Sequence, residues 1–299
     1  MKAPHTGANL SGTLAASTSA AAVAQTAQTG GADESRAKEE RRLIAVLRSD
    51  APPFDKDVAC RRLAVIGTKE AVPALAALLA DEKLSGIARY GLEPIPDPSV
   101  NEALRAAMSE LEGMLLVGVI NSIGKRRDRE AVAELTKLLG ASDQAVAGAA
   151  ASALGKIGGP ESAQALERAL SSAPAALRPA VADACLWCGQ TLLAEGRRRR
   201  ALALYDRVRK EDLPSHLVAA ATRSAALARR SAGIPLLVEM LRSDDGELLG
   251  MALRLAREMP GGAVAKALSA ELPKLPADRR ELLSQALRDR GDAATPPPG

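Results

Sequence analysis

Apolar residues recur along this chain at positions i, i+3 and i+7, which is the spacing of one face of an amphipathic α-helix. The clearest case occurs twice: Val119–Lys125 leads into Glu130–Leu139, and Ala151–Gly158 leads into Glu161–Leu170. Each copy predicts a helix of small apolar residues, a turn with glycine and a second amphipathic helix. Such a pair has two apolar faces, so it must stack on neighbouring pairs to bury both.

The apolar anchors of the second helices can be aligned along most of the chain. The first anchors are separated by steps of 28, 32, 31, 38, 33 and 31 residues. The seven sets are Val72-Leu75-Leu79, Val100-Leu104-Met108, Val132-Leu135-Leu139, Ala163-Leu166-Leu170, Ala201-Leu204-Val208, Ile234-Leu237-Leu241 and Ala265-Leu268-Leu272. Three units are enough for a stable stack. The pattern therefore predicts an all-α fold, a right-handed α-α superhelix of about seven helix pairs over residues 37–292.

Proline and aspartate mark several predicted helix boundaries. Arg41–Leu47 predicts a helix that ends at Asp50–Pro53, because two prolines cannot continue it. Asp55 is predicted to cap the next helix, which runs through Val65. Lys69–Ala80 is predicted to form the partner of that helix.

The two ends of the chain lack the helical pattern. Residues 1–36 are mostly Ala, Ser, Thr, Gln and Gly with almost no charge, which is typical of a disordered leader. Leu10–Ala24 also resembles a weak secretory signal, with Lys2 ahead of it and Ala22–Ala24 as the cleavage site. Cytoplasmic localisation is favoured, with export as the alternative. Residues 293–299 contain three prolines and predict a disordered tail.

Composition excludes some functions. Phe, Trp and Tyr together number four among 299 residues, so the core must consist of Ala, Leu and Val. No run of about 18 apolar residues exists, so no membrane span is predicted. The net charge of +4 is mild. His5 and His216 are the only histidines, which leaves little for metal sites or histidine-based catalysis, so neither a cofactor nor an enzymatic activity is expected.

The repeated units resemble the HEAT family in its short bacterial form, related to the phycobilin-lyase-type HEAT-like repeats. The residues that carry the resemblance are Ala64–Gly67 with Glu70–Leu75, and the two copies that open this section. It covers about residues 40–290 and implies an α-solenoid. The ~31-residue period is shorter than the ~40–47 residues usual for HEAT units, so the loops should be tight.

The resemblance also implies two enzymatic roles that the residues do not support. Metal-dependent HEAT enzymes such as deoxyhypusine hydroxylase need His-Glu pairs, but here His5 precedes Thr6 and His216 precedes Leu217. A bilin-lyase role follows from the family alone.

One unit, residues 184–214, differs from the others and resembles a tetratricopeptide repeat. The residues at that motif's small and aromatic positions are Gly189, Gly196, Ala201 and Tyr205. The adjacent units do not match, so a single TPR-like unit is inserted in the array. It accounts for the 38-residue step.

Cys185 and Cys188 form a CxxC motif inside a predicted helix, and the chain has three cysteines in all. A redox pair would open a helix after a strand, and a zinc site would need further ligands, for which only Cys60 and His216 are available. In the TPR-like register both cysteines fall on core positions, so packing is the favoured interpretation. A lyase or redox enzyme that uses this pair is the alternative.

The densest charge run consists of Arg197, Arg198, Arg199 and Arg200. This run opens a basic helix that extends to Lys210. Such a cluster can bind phosphates, which makes a nucleic-acid or phosphate-binding protein an alternative. Acidic residues such as Asp206 and Glu211 are interleaved, however, and aromatic residues to stack bases are almost missing. A solvated face with salt bridges is therefore favoured.

Two predicted turns could place functional residues on one rim of the array. Ala88–Asp97 and Lys125–Asp128 are both expected to close turns within units, with Asp128 capping the helix that follows. The candidate binding residues of the rim are Arg89, Tyr90, Glu93, Lys125, Arg126 and Arg127. Together these patterns predict a non-enzymatic scaffold or assembly factor that binds another protein on its concave surface or this rim.

DNA binding tests the interpretation of the arginine run. If Arg197, Arg198 and Arg199 lie on a solvated face, neutralising all three should leave the weak affinity for a generic duplex unchanged. If they contact phosphates, the salt dependence of binding should flatten by roughly one unit per lost contact. Micromolar binding at physiological salt that disappears in the triple variant would make nucleic acid the partner.

Overall fold

The computed structural model describes residues 33–290, and within this range the chain is helical with no strand. The predicted leader, except for its last four residues, and the predicted tail lie outside the described residues. The chain divides into two compact units, Met1–Val100 and Asn101–Gly299. A single array over residues 37–292 and the handedness of its stacking stay predictions.

The first unit contains four helices and one 3₁₀ turn in its described part. They are α1 (residues 33–48), α2 (Pro53–Ile66), the 3₁₀ turn Lys69–Ala71, α3 (Val72–Ala76) and α4 (Ser85–Leu92). A further helix, α5 (Pro98–Glu110), begins at the end of this unit and continues into the next.

The second unit continues with eleven helices in its described part. They are α6 (Gly113–Arg126), α7 (Val132–Leu138), α8 (Gln144–Ile157), α9 (Gly159–Ser172), α10 (Arg178–Ala194), α11 (Arg198–Val208), α12 (Ser215–Arg229), α13 (Ile234–Arg242), α14 (Gly246–Glu258), α15 (Gly262–Glu271) and α16 (Ala277–Arg288). None of the helices between residues 33 and 290 is long and apolar enough to cross a membrane.

The middle anchor of each predicted set lies in the core, and this leucine is completely buried in all seven helix pairs: Leu75, Leu104, Leu135, Leu166, Leu204, Leu237 and Leu268. The outer anchors Val132, Leu139, Ile234, Ala265 and Leu272 are only partly buried. In chain order α2 to α15 make seven successive pairs, which confirms the all-α repeat fold. We call the even-numbered helices from α2 to α16 the first helices, and the odd-numbered helices from α3 to α15 the second helices.

Two predicted boundaries are wrong. Asp55 does not cap α2, because the helix begins at Pro53, where proline loses no hydrogen bond and its fixed φ suits the first helical position.

Lys69–Ala80 is not one helix. It begins as a 3₁₀ turn and is α-helical only over Val72–Ala76, after which shorter bonds, such as that from the Leu79 N–H to the Ala76 carbonyl, tighten the chain into turns.

Neighbouring first helices of the second unit approach most closely at glycine. A Cβ atom added to Gly124 of α6 would lie 2.8 Å from the Cα of Ala153 in α8. One added to Gly155 of α8 would lie 2.7 Å from the carbonyl oxygen of Ala184 in α10. These helices therefore meet backbone to backbone, which explains why the first helices are rich in Gly and Ala.

The contact between α10 and α11 agrees with the TPR-like motif over residues 184–214, and that assignment stays a prediction. Tyr205 of α11 is completely buried and lies against Gly189 of α10, where an added Cβ would overlap the tyrosine ring. Burial raises the pKa of Tyr205 to about 12.

Cys185 and Cys188 lie in the core of α10 with no exposed surface, as the packing interpretation predicts. Burial raises the pKa of the Cys188 thiol to about 12, and it raises that of Cys185 as well. Both thiols are therefore protonated at neutral pH and shielded from reagents. Among residues 33–290, no group of His, Cys, Asp and Glu side chains could hold a metal ion.

The close approach at Gly155 generates a stability prediction. Gly155→Ala should lower the free energy of unfolding by about 1–3 kcal/mol, because the added methyl group meets backbone that cannot rotate away. Gly148→Ala is the matched control on the same helix, since its nearest neighbour would be the Leu177 Cδ1 at 3.9 Å. The control should be neutral or stabilising by up to about 1 kcal/mol. Urea unfolding measures both, and equal effects would contradict backbone contact at Gly155.

The raised thiol pKa values generate a pH prediction. Because the unfolded thiols ionise near 9.0 and the folded ones do not, the stability that the buried thiols contribute is complete below pH 9 and is lost as pH rises from 9 towards 12. Between pH 8 and pH 10 the wild type should lose roughly 1 kcal/mol more per thiol than the Cys185→Ala/Cys188→Ala variant. Urea unfolding at both pH values checks this, and parallel losses would mean that the thiols are accessible.

Candidate binding surface

Large apolar side chains are exposed on the first helices alone among residues 33–290. In the first unit they are Phe54, Val58 and Val65 of α2 and Tyr90 of α4, and in the second unit they are Met114 of α6, Trp187 of α10 and Leu282 of α16. Exposure reaches 75% for Phe54 and 52% for Trp187. No second helix of the described chain exposes a comparable side chain. This asymmetry distinguishes one face of the repeats from the other.

Three consecutive first helices of the second unit enclose a groove. It has a volume of about 430 Å³ and lies on the outer surface of α10, α12 and α14. Its apolar lining comes from Leu186, Trp187, Ala220 and Met251, and its polar lining from Asp183, Gln190, Arg223, Ser224, Arg254 and Glu258. Trp187, which forms one wall of the groove, is the only tryptophan of the chain.

The groove residues recur with the period of the repeats. Trp187, Ala220, Met251 and Leu282 follow one another at steps of 33, 31 and 31 residues, so they occupy equivalent positions on α10, α12, α14 and α16. We call these four the apolar row. Three residues after each of them stands a polar side chain, and these form the polar row: Gln190, Arg223, Arg254 and Gln285. The two rows run across the helices rather than along them.

Charges in the groove are only partly neutralised. The Arg223 guanidinium donates a hydrogen bond to the Glu258 carboxylate, and this pair joins α12 to α14. Among residues 33–290, neither Asp183 nor Arg254 has an ion-pair partner. The groove therefore carries a free carboxylate on α10 and a free guanidinium on α14.

Sequence reasoning missed this groove. Trp187 was considered only as the interior of the CxxC motif, and Asp183, Arg223 and Arg254 are single residues that no local motif joins. The signal was present in the repeat period. The 31- and 33-residue steps that align the buried anchors also align the exposed rows.

The first unit has its own apolar patch on α2. Phe54, Val58 and Val65 are spaced by four and seven residues, which places them on one face of the helix. Arg61 lies on the same face, where its Nε donates to the Asp57 carboxylate at 2.7 Å. That hydrogen bond, together with the Asp57 charge and a smaller contribution from Tyr90, raises the pKa of Arg61.

Arg89 and Tyr90 do not lie in the predicted turn, whereas Glu93 does. Arg89 and Tyr90 lie within α4, and Glu93 is its C-cap residue, so only the residues from Glu93 to Asp97 connect α4 to α5. The prolines at positions 94 and 96 misled the prediction, because they restrict the chain only after the helix has ended. Tyr90 is half exposed on the outer face of its helix.

Lys125, Arg126 and Arg127 lie at the predicted turn and have local structural roles. Lys125 and Arg126 occupy the last turn of α6, where positive charge favours the helix C-terminus. Arg126 also donates to the Asn101 Oδ1 at 2.5 Å, and Arg127 adopts a left-handed conformation with φ 53°. These residues belong to a different unit from Arg89–Glu93, so a shared rim stays a prediction.

Asp128 caps the turn that follows, as predicted. Its side chain accepts from the Glu130 N–H at 3.2 Å and from Arg105 at 2.6 Å. The hydrogen bond from the Glu130 N–H satisfies a backbone donor at the start of the 3₁₀ turn Arg129–Ala131.

The basic helix α11 combines paired and unpaired arginines. Arg207 pairs with Glu211 at 2.8 Å, and Arg209 pairs with Glu239 at 2.8 Å. Arg197 lies 3.4 Å from Glu195 at the start of the helix. Within the arginine run, Arg198, Arg199 and Arg200 have no ion-pair partner among residues 33–290, and all three are exposed. None of the four arginines of the run lines the groove.

Comparisons with known proteins identify the repeats. Residues 101–186 match the family described as HEAT repeats. A search of curated proteins finds no match. Among solved structures, the chain is similar to the complex of CpcE and CpcF of phycocyanin lyase from Nostoc sp. PCC7120, at 21% identity and TM-score 0.41, covering 72% of this chain and 92% of that chain. It is also similar to human deoxyhypusine hydroxylase in complex with glycerol, at 16% identity and TM-score 0.37, covering 84% of this chain and 96% of that chain.

These two likenesses are too distant to indicate an activity. The family match agrees with the buried anchors and with the paired helices of α6 to α10. Over residues 101–186 the chain is therefore similar to HEAT repeats.

Proposed function

We propose that this protein is a non-catalytic module that binds a partner protein on the outer face of its first helices, along the groove of α10, α12 and α14. The observation that carries the proposal is the confinement of exposed large apolar side chains to the first helices of the described chain. Exposed apolar surface next to polar side chains is typical of protein-binding sites. The proposed binding surface is therefore a helix face rather than the predicted rim.

Trp187 is the expected centre of the contact. Tryptophan and arginine are enriched among the residues that contribute most to binding energy, and both line this groove. On the second helix α9, by contrast, the exposed side chains include the polar Gln164 and Arg168. A partner that needs an apolar anchor therefore has a reason to choose the first-helix face.

A redox or lyase role based on Cys185 and Cys188 receives no support from their burial. A thiolate must form and reach its substrate before it can react, and both conditions are opposed by the core position and the raised pKa. Arg198 to Arg200 have no aromatic side chain among them to stack a base, so nucleic acid stays the less favoured partner class.

Comparative affinity capture tests the proposal. The immobilised full chain should retain a partner from an extract of its native cells, and Trp187→Asp should reduce the retained amount at least about tenfold because it removes the apolar anchor. Gln164→Asp on α9 is the matched control, since it introduces the same charge on the opposite face. It should retain the partner like the wild type.

Thermal unfolding of both variants verifies that each is folded, because both positions are exposed. A partner that is retained equally by the wild type and Trp187→Asp, but lost by Gln164→Asp, would move the binding surface to the second helices.

A further inference from the structure

In the groove of α10, α12 and α14, the distance between members of the apolar row matches the three-residue repeat of an extended polypeptide. Resting on the proposed function, we propose that it binds an extended segment with an apolar side chain at every third residue. The segment carries a basic residue at the α10 end and an acidic residue at the α14 end. The steps that lead to this ligand follow from the apolar row, the volume of the groove and its two free charges.

The first step is the distance between anchors. Packed helices lie about 8–10 Å apart, so successive members of the apolar row should be separated by about the same distance. A polyproline II segment advances about 3.1 Å per residue and has three residues per turn, so every third side chain returns to the same side after about 9.3 Å. Trp187, Ala220 and Met251 therefore meet residues i, i+3 and i+6 of such a segment.

The volume of the groove suits side chains of the ligand rather than a complete helix. A helix about 10 Å in diameter and about 20 Å long, the span from α10 to α14, occupies roughly 1,600 Å³. The groove offers about 430 Å³. Side chains of an extended segment can enter it while the backbone stays above the helices.

The shape of the apolar row determines the middle residue. Ala220 lies between the larger side chains of Trp187 and Met251, so the floor of the groove is deepest at α12. A branched aliphatic side chain of the ligand fills this position. Met251 can adjust its side chain to the residue above it, because methionine is unbranched and flexible.

The free charges determine the polarity of the ligand. The Arg223–Glu258 pair is already neutralised, whereas Asp183 on α10 and Arg254 on α14 have no ion-pair partner in the described chain. Two helix spacings separate α10 from α14, which corresponds to about six residues of extended chain. A basic and an acidic residue six positions apart can pair with both.

The only tryptophan of the protein reports on this site directly. The probe is a nine-residue peptide without aromatic residues, with Lys at position 1, Leu at positions 2, 5 and 8, Pro at positions 3 and 6, Asp at position 7 and Ser elsewhere. Titrated into the full chain, it should shift the Trp187 emission to shorter wavelength in a saturable manner, because the half-exposed indole becomes covered. A peptide of the same composition with Leu at positions 2, 4 and 6 should bind at least about tenfold more weakly.

Charge reversal separates this ligand from general apolar binding. Arg254→Glu should weaken the peptide about tenfold, and a peptide with Lys in place of Asp at position 7 should restore its affinity for that variant. Arg168→Glu on α9 is the matched control and should bind like the wild type.

Three results would overturn the inference: equal affinity for both leucine spacings, tighter binding of a helical peptide with Leu at positions i and i+7, or no saturable shift at 1 mM peptide. If no peptide shifts the emission while partner capture still depends on Trp187, the proposed function stands and the extended ligand is wrong. If capture is also independent of Trp187, both are wrong.

Discussion

The constraint on which this structure depends is that no helix pair can bury both of its apolar faces alone. The middle leucine of each unit is completely buried, and the first helices of the second unit come into backbone contact at Gly124 and Gly155. Because a methyl group at either glycine would meet the next helix, the spacing of this layer is determined by its smallest residues. The scarcity of aromatic residues is the compositional consequence, since large rings would separate the helices.

Close packing of the first helices also organises their outer surface. When the first helices of successive repeats lie side by side, residues that are one repeat period apart in sequence form rows across the helices. The row that contains Trp187 and Met251 is apolar, and a second row with Arg223 and Arg254 accompanies it. A surface of this kind favours a linear partner over a compact small molecule, because its features repeat at the helix spacing.

The TPR-like unit differs from its neighbours inside and outside the core. Inside, Gly189 accommodates the ring of Tyr205, and the two cysteines of α10 fill space as small apolar groups. Outside, the same helix presents Trp187 to solvent. The same helix therefore contributes both the glycine that accommodates the Tyr205 ring and the tryptophan of the groove.

The sequence by itself determined the class of fold, the number of units and the cap at Asp128, because these depend on local periodicity and on hydrogen bonds between near neighbours. The anchors from Leu75 to Leu268 were identified for the same reason. Only the tertiary structure decided that Arg89 and Tyr90 lie in a helix and that Asp183, Trp187 and Arg254 line one groove. Arg254 is far from Asp183 and Trp187 in sequence, and its proximity to them arises from the register in which one helix packs on the next.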